Sequence, residues 1–372
     1  MKASNPLFLK GLNELRAIAA LAVIVHHIEL FIYSDKLNYG LYGNKYLNYF
    51  FSHLGKNAVY LFFVLSGFLI TYLLINENEK YGKVNILKFY WRRVLRIWPL
   101  YFIIIFISFL VVPILFNYFQ IGHNNNWSPL IIDEKNYTLK PFLEYCFFLS
   151  NLALRQGYIV VGASQSWSVS IEEQYYIFWP IAFLILLKLK ANKTFVLLIF
   201  VIALTMLNYI FKPEITSIFS YEFILIGCLG AFIFTSNFFK KWSQKLDQPI
   251  IYFSVILVVL GLLFVGFTDS YLQNILISVA FLFLIVLTIN NKNSFQSKFL
   301  NEIGKISYGV YMYHPFIMFL VFPFIIKYFQ STIAHVFSYL FVIILTLIIS
   351  KISYELIEKK FINIKDKKFK TL

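Results

Sequence analysis

Cysteine is nearly absent from this sequence, and so are the spacings that would give it a chemical role. The 372 residues include two cysteines, Cys146 and Cys228, and both lie within apolar stretches. Such a chain offers neither a disulfide framework nor a CxxC metal site. A GxSxG motif, which would indicate a nucleophilic serine on a strand-to-helix turn, is also missing. We therefore expect no bound metal and no redox chemistry.

Acidic residues are scarce as well. The chain has 18 Asp and Glu residues against 33 Lys and Arg residues, and its formal net charge is +15. A basic excess can indicate nucleic-acid binding, but here the basic residues form short runs between apolar stretches. Membrane topology explains this distribution, because cytoplasmic loops of membrane proteins are rich in Lys and Arg. The charge pattern predicts a membrane protein with no nucleic-acid partner.

Hydrophobic residues, by contrast, make up 59% of the chain, and its mean hydropathy is +0.71. Apolar runs of about 20 residues are long enough to cross a bilayer. They predict an all-α, polytopic integral membrane bundle of about ten transmembrane helices, near residues 9–33, 57–76, 95–116, 169–189, 194–212, 217–236, 249–267, 270–290, 305–327 and 332–357. The shorter apolar segment 142–154 is predicted to be re-entrant or interfacial. We expect residues 1–372 to form a single membrane domain with no appended soluble domain.

The basic residues also predict the orientation of the bundle. Most of the 33 Lys and Arg residues fall on one side of this arrangement, including those of the lysine-rich tail 359–370. By the positive-inside rule, both termini are cytoplasmic and the long loop 117–168 lies on the outer side. The tail is expected to contact water or membrane lipid head groups.

The first apolar helix, Leu15–Phe31, carries ionisable residues on one face. Arg16 and His27 are eleven residues apart, which is three turns plus about 20°, so they share a face about 16 Å apart. His26 points about 100° away and should be less critical. Ionisable groups inside a membrane helix usually face a bundle interior or a cavity and indicate function. The alternative is that Arg16 extends to the interface and the histidines are satisfied polar residues.

Two further clusters are charged. Arg92, Arg93 and Arg96 precede the third apolar run, and the last two are adjacent on a helix surface at i and i+3. They could bind phosphates, or serve only as topological anchors. Glu172 and Glu173 lie just inside the fourth run, where one of them could orient His27 as a base. The alternative is that they have no catalytic role and are there because a helix N-terminus favours negatively charged side chains.

Two other positions carry a polar residue inside an apolar run. Ser66 and Gly67 interrupt the second run, and there we favour a packing role. His314 lies near mid-membrane beside Pro315, which should disturb its helix, so His314 is a secondary site candidate. We assign no function to the remaining histidines, which are His53, His123 and His335.

Together these stretches resemble the membrane acyltransferase-3 family of bacterial O-acyltransferases, which modify lipopolysaccharide, peptidoglycan and other surface polysaccharides. The matching stretches are LRAIAALAVIVHH (Leu15–His27), FFVLSGFLIT (Phe62–Thr71), RRVLRIWP (Arg92–Pro99), WSVSIEEQYYIFWP (Trp167–Pro180) and ISYGVYMYHP (Ile306–Pro315). The family's Arg, ten residues, His pattern falls on Arg16 and His27, and its Arg-x-x-Arg pattern on Arg93 and Arg96. Its Trp-Ser-Leu-x-x-Glu pattern falls on Trp167, Ser168, Val169 and Glu172.

The sequence departs from the family pattern at two points. The Asp-Gly that usually precedes the first Leu-Arg is Asn13-Glu14 here, and Val169 replaces the Leu of the Trp-Ser-Leu motif. Some members carry an esterase-like domain after the last helices, which we expect this chain to lack. The resemblance implies a transferase in the bacterial inner membrane, with acetyl-CoA or another acyl-CoA as donor and a glycan or lipid-linked sugar as acceptor.

On this interpretation, Arg93 and Arg96, with Arg92, bind the CoA phosphates at the cytoplasmic side, and Arg16 lies further in. His27 acts as a general base towards the acceptor hydroxyl or carries the acyl group transiently, and Glu172 or Glu173 orients it. An exporter of polysaccharide or lipid-linked sugar would also have about ten spans and buried charges. It should show two related halves with broken helices, and none are visible. A membrane scaffold would leave the charged cluster unexplained.

Overall fold

The computed structural model describes residues 9–34, 41, 47–119, 133–210, 220–266, 270–291, 294–328 and 331–370. Within these ranges the chain is helical and contains no strand. The helices are α1 (Leu12–Ser34), α2 (Asn48–Tyr81), α3 (Ile86–Phe106), α4 (Val112–Phe119), α5 (Leu139–Cys146), α6 (Ser150–Arg155), α7 (Trp167–Lys188), α8 (Lys193–Ile210), α9 (Tyr221–Thr235), α10 (Asn237–Leu246), α11 (Pro249–Phe264), α12 (Ser270–Asn290), α13 (Lys298–Lys305), α14 (Ser307–Tyr328), α15 (Ser331–Ser353) and α16 (Lys359–Lys370). The predicted all-α architecture is confirmed.

The described residues do not confirm the predicted count of about ten membrane spans. Among the described residues, six helical stretches are long and apolar enough to cross a membrane, or up to eight if two bent helix pairs each count as one span. The pairs are α9 with α10, bent by 85°, and α13 with α14, bent by 73°. Each of the ten predicted segments contains a helix. However, α11 has only 16 residues and α7 carries two glutamates, so a count of about ten is not confirmed.

The segment 142–154 does not span, as predicted. It falls on α5 and α6, which have 8 and 6 residues and are joined by a turn in which Phe148 has φ 57°. Elsewhere two single π-turns interrupt long helices, at Ile107–Val111 between α3 and α4 and at Tyr354–Glu358 between α15 and α16. Single π-turns inside α-helices are frequently found at functional sites.

The long helix α2 is the centre of the bundle and packs closely on α1 and on α9. Its contact with α9 depends on glycine. A Cβ added at Gly67 would overlap the backbone carbonyl of Ile224, and one at Gly227 would overlap that of Val64. Small residues at such crossings let two helix backbones approach. The packing role predicted for Gly67 is therefore confirmed.

A single methyl group at this crossing should separate the two helices. We expect Gly67→Ala to lower the free energy of unfolding by about 1–3 kcal/mol, the usual cost of overpacking. A lower thermal midpoint in detergent would report this loss. Gly261→Ala is the control, because a Cβ there would meet no atom within 4 Å. Equal midpoints for the two variants would contradict the close packing of α2 on α9.

Candidate functional site

A cavity of about 110 Å³ lies among α1, α2, α3, α7 and α14, at the end of the bundle where α1 begins. We call it the inner cavity. Its described lining residues are Arg16, Phe62, Leu65, Ser66, Leu69, Arg93, Arg96, Ile97, Ser168, Val169, Glu172, Tyr176, Ser307, Tyr308 and Tyr311. Five of the residues singled out from the sequence therefore meet in one place, although they come from four helices.

Three arginines make this cavity strongly cationic. Arg16 comes from α1, and Arg93 and Arg96 lie one turn apart on α3. The guanidinium of Arg93 lies over two rings, 5.3 Å from the centroid of Tyr176 and 5.7 Å from that of Phe89. Its Nε atom is buried and has no hydrogen-bond partner among the described residues. An unsatisfied guanidinium donor beside two like charges suits an anionic ligand.

Arg92 is arranged differently from its neighbours. Its Nη2 atom donates to Glu77 Oε2 at 2.7 Å, an ion pair between α3 and the end of α2. It is not part of the inner-cavity lining. The i and i+3 spacing of Arg93 and Arg96 places both on the cavity side, whereas Arg92 is turned about 100° away from Arg93.

The carboxylate of Glu172 holds α7 against α2. Its Oε2 accepts hydrogen bonds from the hydroxyls of Ser66, at 3.0 Å, and Tyr176, at 2.5 Å, and these two hydroxyls also bond to each other. Ser66 thus faces the cavity, beyond the packing role that we favoured from sequence. Trp167, at the start of α7, packs edge-to-face on Phe63 with ring centroids 6.3 Å apart.

Two further carboxylates lie beside the inner cavity. Glu173 accepts a hydrogen bond from Trp98 Nε1 at 2.8 Å, and its other oxygen is buried without a partner among the described residues. Glu358 is buried in the second π-turn, where its Oε1 also has no partner and its charge acts on Arg96. Glu358 was not predicted from the sequence, because it stands immediately before the lysine-rich tail 359–370, which we expected only to contact water or lipid head groups.

A second cavity of about 220 Å³, which we call the outer cavity, lies further along α1. Its described lining residues are His27, Leu30, Phe31, Ile159, Val160, Val161, Gly162, Ser164, Gln165, His314, Pro315, Met318 and Phe319. The rings of His27 and His314 are 5.0 Å apart, and His314 is fully buried with no partner for either nitrogen among the described residues. α1 presents Arg16 to one cavity and His27 to the other, whereas the spacing predicted only that the two side chains share a face of the helix.

The predicted pairing of a glutamate with His27 is wrong. Glu172 bonds to Ser66 and Tyr176, and Glu173 bonds to Trp98, so neither carboxylate orients the imidazole. Glu172 lines the inner cavity, whereas His27 lines the outer one. His27 is oriented by its own helix, because its Nδ1 lies 2.9 Å from the carbonyl oxygen of Val23. A carbonyl can only accept, so Nδ1 carries the hydrogen and Nε2 keeps its lone pair in the neutral ring.

Tyr311 separates the two cavities. Its hydroxyl donates to the carbonyl oxygen of Gln165 at 2.8 Å and lies 2.8 Å from the hydroxyl of Ser168. Ser168 and Tyr311 line the inner cavity, while Gln165 and His314 line the outer one. Contrary to expectation, α14 continues through Pro315 as helix. The side chain of Gln165 stabilises this stretch of α14, because its Nε2 donates a hydrogen bond to the backbone carbonyl of Met312 at 2.9 Å.

A buried cluster at the far end of α1 was not predicted. Glu29 is fully buried, and its Oε1 is 2.7 Å from His335 Nε2 and accepts a hydrogen bond of 2.7 Å from the hydroxyl of Tyr339. Its Oε2 accepts from the backbone of Leu41. His335, which we treated as ordinary, therefore joins α15 to α1. No sequence spacing connects Glu29 and His335, which are 306 residues apart.

The other histidines have simpler settings. His26 lies with its Nδ1 2.7 Å from the carbonyl oxygen of Phe51 and its ring against Gly55, which fixes α1 on α2. His53 stacks on Tyr49 of its own helix. His123 lies outside the described residues. Within the described part of the chain, no group of three His, Cys, Asp or Glu side chains has the arrangement of a metal site.

The fold and the site define a class of protein: a helical membrane protein in which arginines, carboxylates and histidines line two cavities along one helix. Comparison of the sequence with known protein families assigns the chain to one family within that class. Residues 9–354 match the family model described as an acyltransferase domain, so the chain belongs to the acyltransferase-3 family.

Two relatives illustrate this membership. The chain is 28% identical over 386 residues to O-acetyltransferase OatA of Staphylococcus aureus strain NCTC 8325, an alignment that covers 96% of this chain and 58% of the relative. It is 26% identical over 381 residues to peptidoglycan O-acetyltransferase OatA of Listeria monocytogenes, covering 94% of this chain and 55% of the relative. The chain thus spans little more than half the length of these relatives. No solved structure matches it.

The Glu29 cluster should contribute to stability. We expect His335→Ala to lower the free energy of unfolding by about 1–3 kcal/mol, because the buried Glu29 carboxylate loses a hydrogen-bond partner. Tyr339→Phe should act in the same direction. Thermal unfolding in detergent measures both changes. His53→Ala is the matched control, since His53 bonds only within its own helix among the described residues. A loss for His53→Ala as large as that for His335→Ala would contradict the proposed importance of this cluster.

Proposed function

We propose that this protein is an integral-membrane O-acyltransferase that moves an acyl group, most simply acetyl, from an acyl-CoA to a hydroxyl of a cell-envelope glycan or lipid-linked sugar. Family membership supports acyl transfer, and the names of the two relatives support acetyl as the group and peptidoglycan as one kind of acceptor. The observation that carries the proposal is that one helix, α1, presents Arg16 to a cationic cavity and His27 to a histidine-lined cavity.

The inner cavity is the donor end in this proposal. CoA carries several phosphate charges, and guanidinium groups bind phosphate oxygens through paired hydrogen bonds. Arg96 is exposed at the mouth, while Arg93 and Arg16 lie deeper. We place this end at the cytoplasmic face of a bacterial inner membrane, because acyl-CoA is cytoplasmic and the positive-inside rule puts both termini there. Glu172 would limit the charge of the cavity and hold Ser66 and Tyr176 in place.

The outer cavity is the acceptor end. The lone pair of His27 Nε2 would take the proton of the acceptor hydroxyl as its oxygen attacks the thioester carbonyl. The C–S bond then breaks, and the CoA sulfur leaves and accepts a proton. Val23 keeps the base in the required tautomer. His314, 5.0 Å from His27 by ring centroids and without a partner among the described residues, is available to hydrogen-bond the acceptor or to relay the proton.

The acyl group must pass Tyr311 in this scheme. The Tyr311 side chain contacts both cavities through Ser168 and Gln165, so a rotation of its ring would connect them. The distance from Arg16 to His27 along the helix is about 16 Å. The extended pantetheine arm of CoA has a comparable reach, so the phosphates could stay at the arginines while the thioester approaches the histidines.

The arginine assignment predicts a selective loss of donor affinity. We expect Arg93→Ala and Arg96→Ala to raise KM for acetyl-CoA by about tenfold or more, because each removes a charged hydrogen bond to phosphate. Arg92→Ala is the matched control and should change KM much less, since Arg92 is paired with Glu77. Kinetics with acetyl-pantetheine, which lacks the nucleotide phosphates, should show almost no penalty for any of the three. An equal penalty with both donors would contradict phosphate binding.

The histidine assignment predicts a loss of turnover. With membranes and radiolabelled acetyl-CoA, we expect His27→Ala to reduce acyl transfer at least about a hundredfold, the usual contribution of a general base. Binding of CoA should be retained, because the arginines are unchanged. His53→Ala should behave as wild type. Full activity of a properly inserted His27→Ala would contradict the assignment, and glycan export without label transfer by the wild type would favour the exporter alternative.

A further inference from the structure

A third cavity, of about 280 Å³, is separate from both parts of the proposed active site. It lies between α1, α2, α11 and α12, and its walls are almost entirely aliphatic and aromatic. Ile18 and Leu260, which line it, are 45% and 44% exposed, so the cavity opens sideways towards the bilayer. An apolar cavity of roughly 150 Å³ already suffices to hold a benzene molecule. This lateral groove is therefore large enough for part of a lipid chain.

Two polar side chains line the groove without being satisfied. Glu14 is 4% exposed, and its Oε2 is buried with no hydrogen-bond partner among the described residues. Thr288 is 2% exposed, and its hydroxyl is also buried with no hydrogen-bond partner among the described residues. Gly11, three residues before Glu14, also lines the groove and packs against Thr288, so both polar groups belong to one end of the groove. Buried polar groups normally have partners, and an unpaired one is costly.

We propose that this groove binds an uncharged bilayer lipid with a free hydroxyl, of the diacylglycerol type. One acyl chain would lie along the apolar walls, and the hydroxyl would donate to Glu14 and accept from Thr288. Among the described residues lining the groove, none is Lys, Arg or His, so a phosphate head group would meet the Glu14 carboxylate without a counter-charge. Apolar walls that end at one carboxylate oxygen and one hydroxyl, both without partners among the described residues, therefore select a neutral hydroxyl donor.

Glu14 stands at a position where this sequence departs from the family pattern. The family pattern has glycine immediately before the first Leu-Arg, where this sequence has Glu14. Arg16 lies on another face of α1 and lines the inner cavity, so the groove can be altered without touching the proposed donor site. The lipid site is independent of acyl transfer, and either could be disproved without the other.

Photo-crosslinking in phosphatidylcholine nanodiscs tests this proposal on the whole protein. The probes are a diacylglycerol and a phosphatidylcholine that carry the same diazirine-bearing acyl chain. Labelled peptides from α1 and α12 are quantified by mass spectrometry for wild type, Glu14→Leu, Glu14→Gln and Thr288→Val. Glu302→Gln, at an exposed side chain outside the groove, is the control. Elution profile and thermal midpoint verify that each variant is folded.

We expect the diacylglycerol probe to label the groove about tenfold more than the phosphatidylcholine probe, with competition by unlabelled diacylglycerol. Labelling should fall about fivefold in Thr288→Val, which keeps the shape of the side chain, and in Glu14→Leu. Glu14→Gln, which keeps an acceptor oxygen, should retain more of the labelling than Glu14→Leu. Equal labelling by both probes, or labelling that no folded variant changes, would overturn the proposal and show that only ordinary bilayer chains enter the groove.

Discussion

The cost of burying charge inside an apolar bundle governs the organisation of this protein. A guanidinium or carboxylate within a membrane bundle must face a cavity or a partner, because hydrocarbon offers neither water nor hydrogen bonds. The structure collects Arg16, Arg93 and Arg96 around one cavity and ties Glu172 to two hydroxyls beside them. The surrounding helices can then expose mainly large apolar side chains on their outer faces.

A single helix connects the parts of the site, and its environment explains how it is held. Along α1, Arg16 meets the inner cavity and His27 the outer one, while Glu29 binds α15 at the far end. The helix is also fixed against α2, where the ring of His26 packs on Gly55. Rotation of α1 would break several of these contacts together. The relative position of arginine and histidine is therefore fixed by packing, as the proposed transfer between two separated cavities would require.

Helical periodicity predicted the structural features that depend on a single segment of the chain. The shared face of Arg16 and His27, the pairing of Arg93 with Arg96 and the non-spanning segment 142–154 all follow from local spacing. Relations between segments did not follow. The depth of α7 relative to α1 decides whether Glu172 reaches His27, and no pattern within either helix encodes that depth. The predicted number of spans is not confirmed for a related reason, because two adjacent glutamates lower the apolar character of α7 although its helix forms.

The tautomer of His27 is fixed without the glutamate partner that we predicted from the sequence. A charged partner would stabilise the imidazolium, but it would also place a second buried ion in the outer cavity, with its desolvation cost. The Val23 carbonyl, 2.9 Å from Nδ1, fixes the same tautomer and adds no charge. The described lining of the outer cavity contains no Asp, Glu, Lys or Arg, whereas the inner cavity gathers three arginines. In the proposed function, that contrast would separate binding of a charged donor from chemistry on a neutral hydroxyl, with Tyr311 at the boundary between the two cavities.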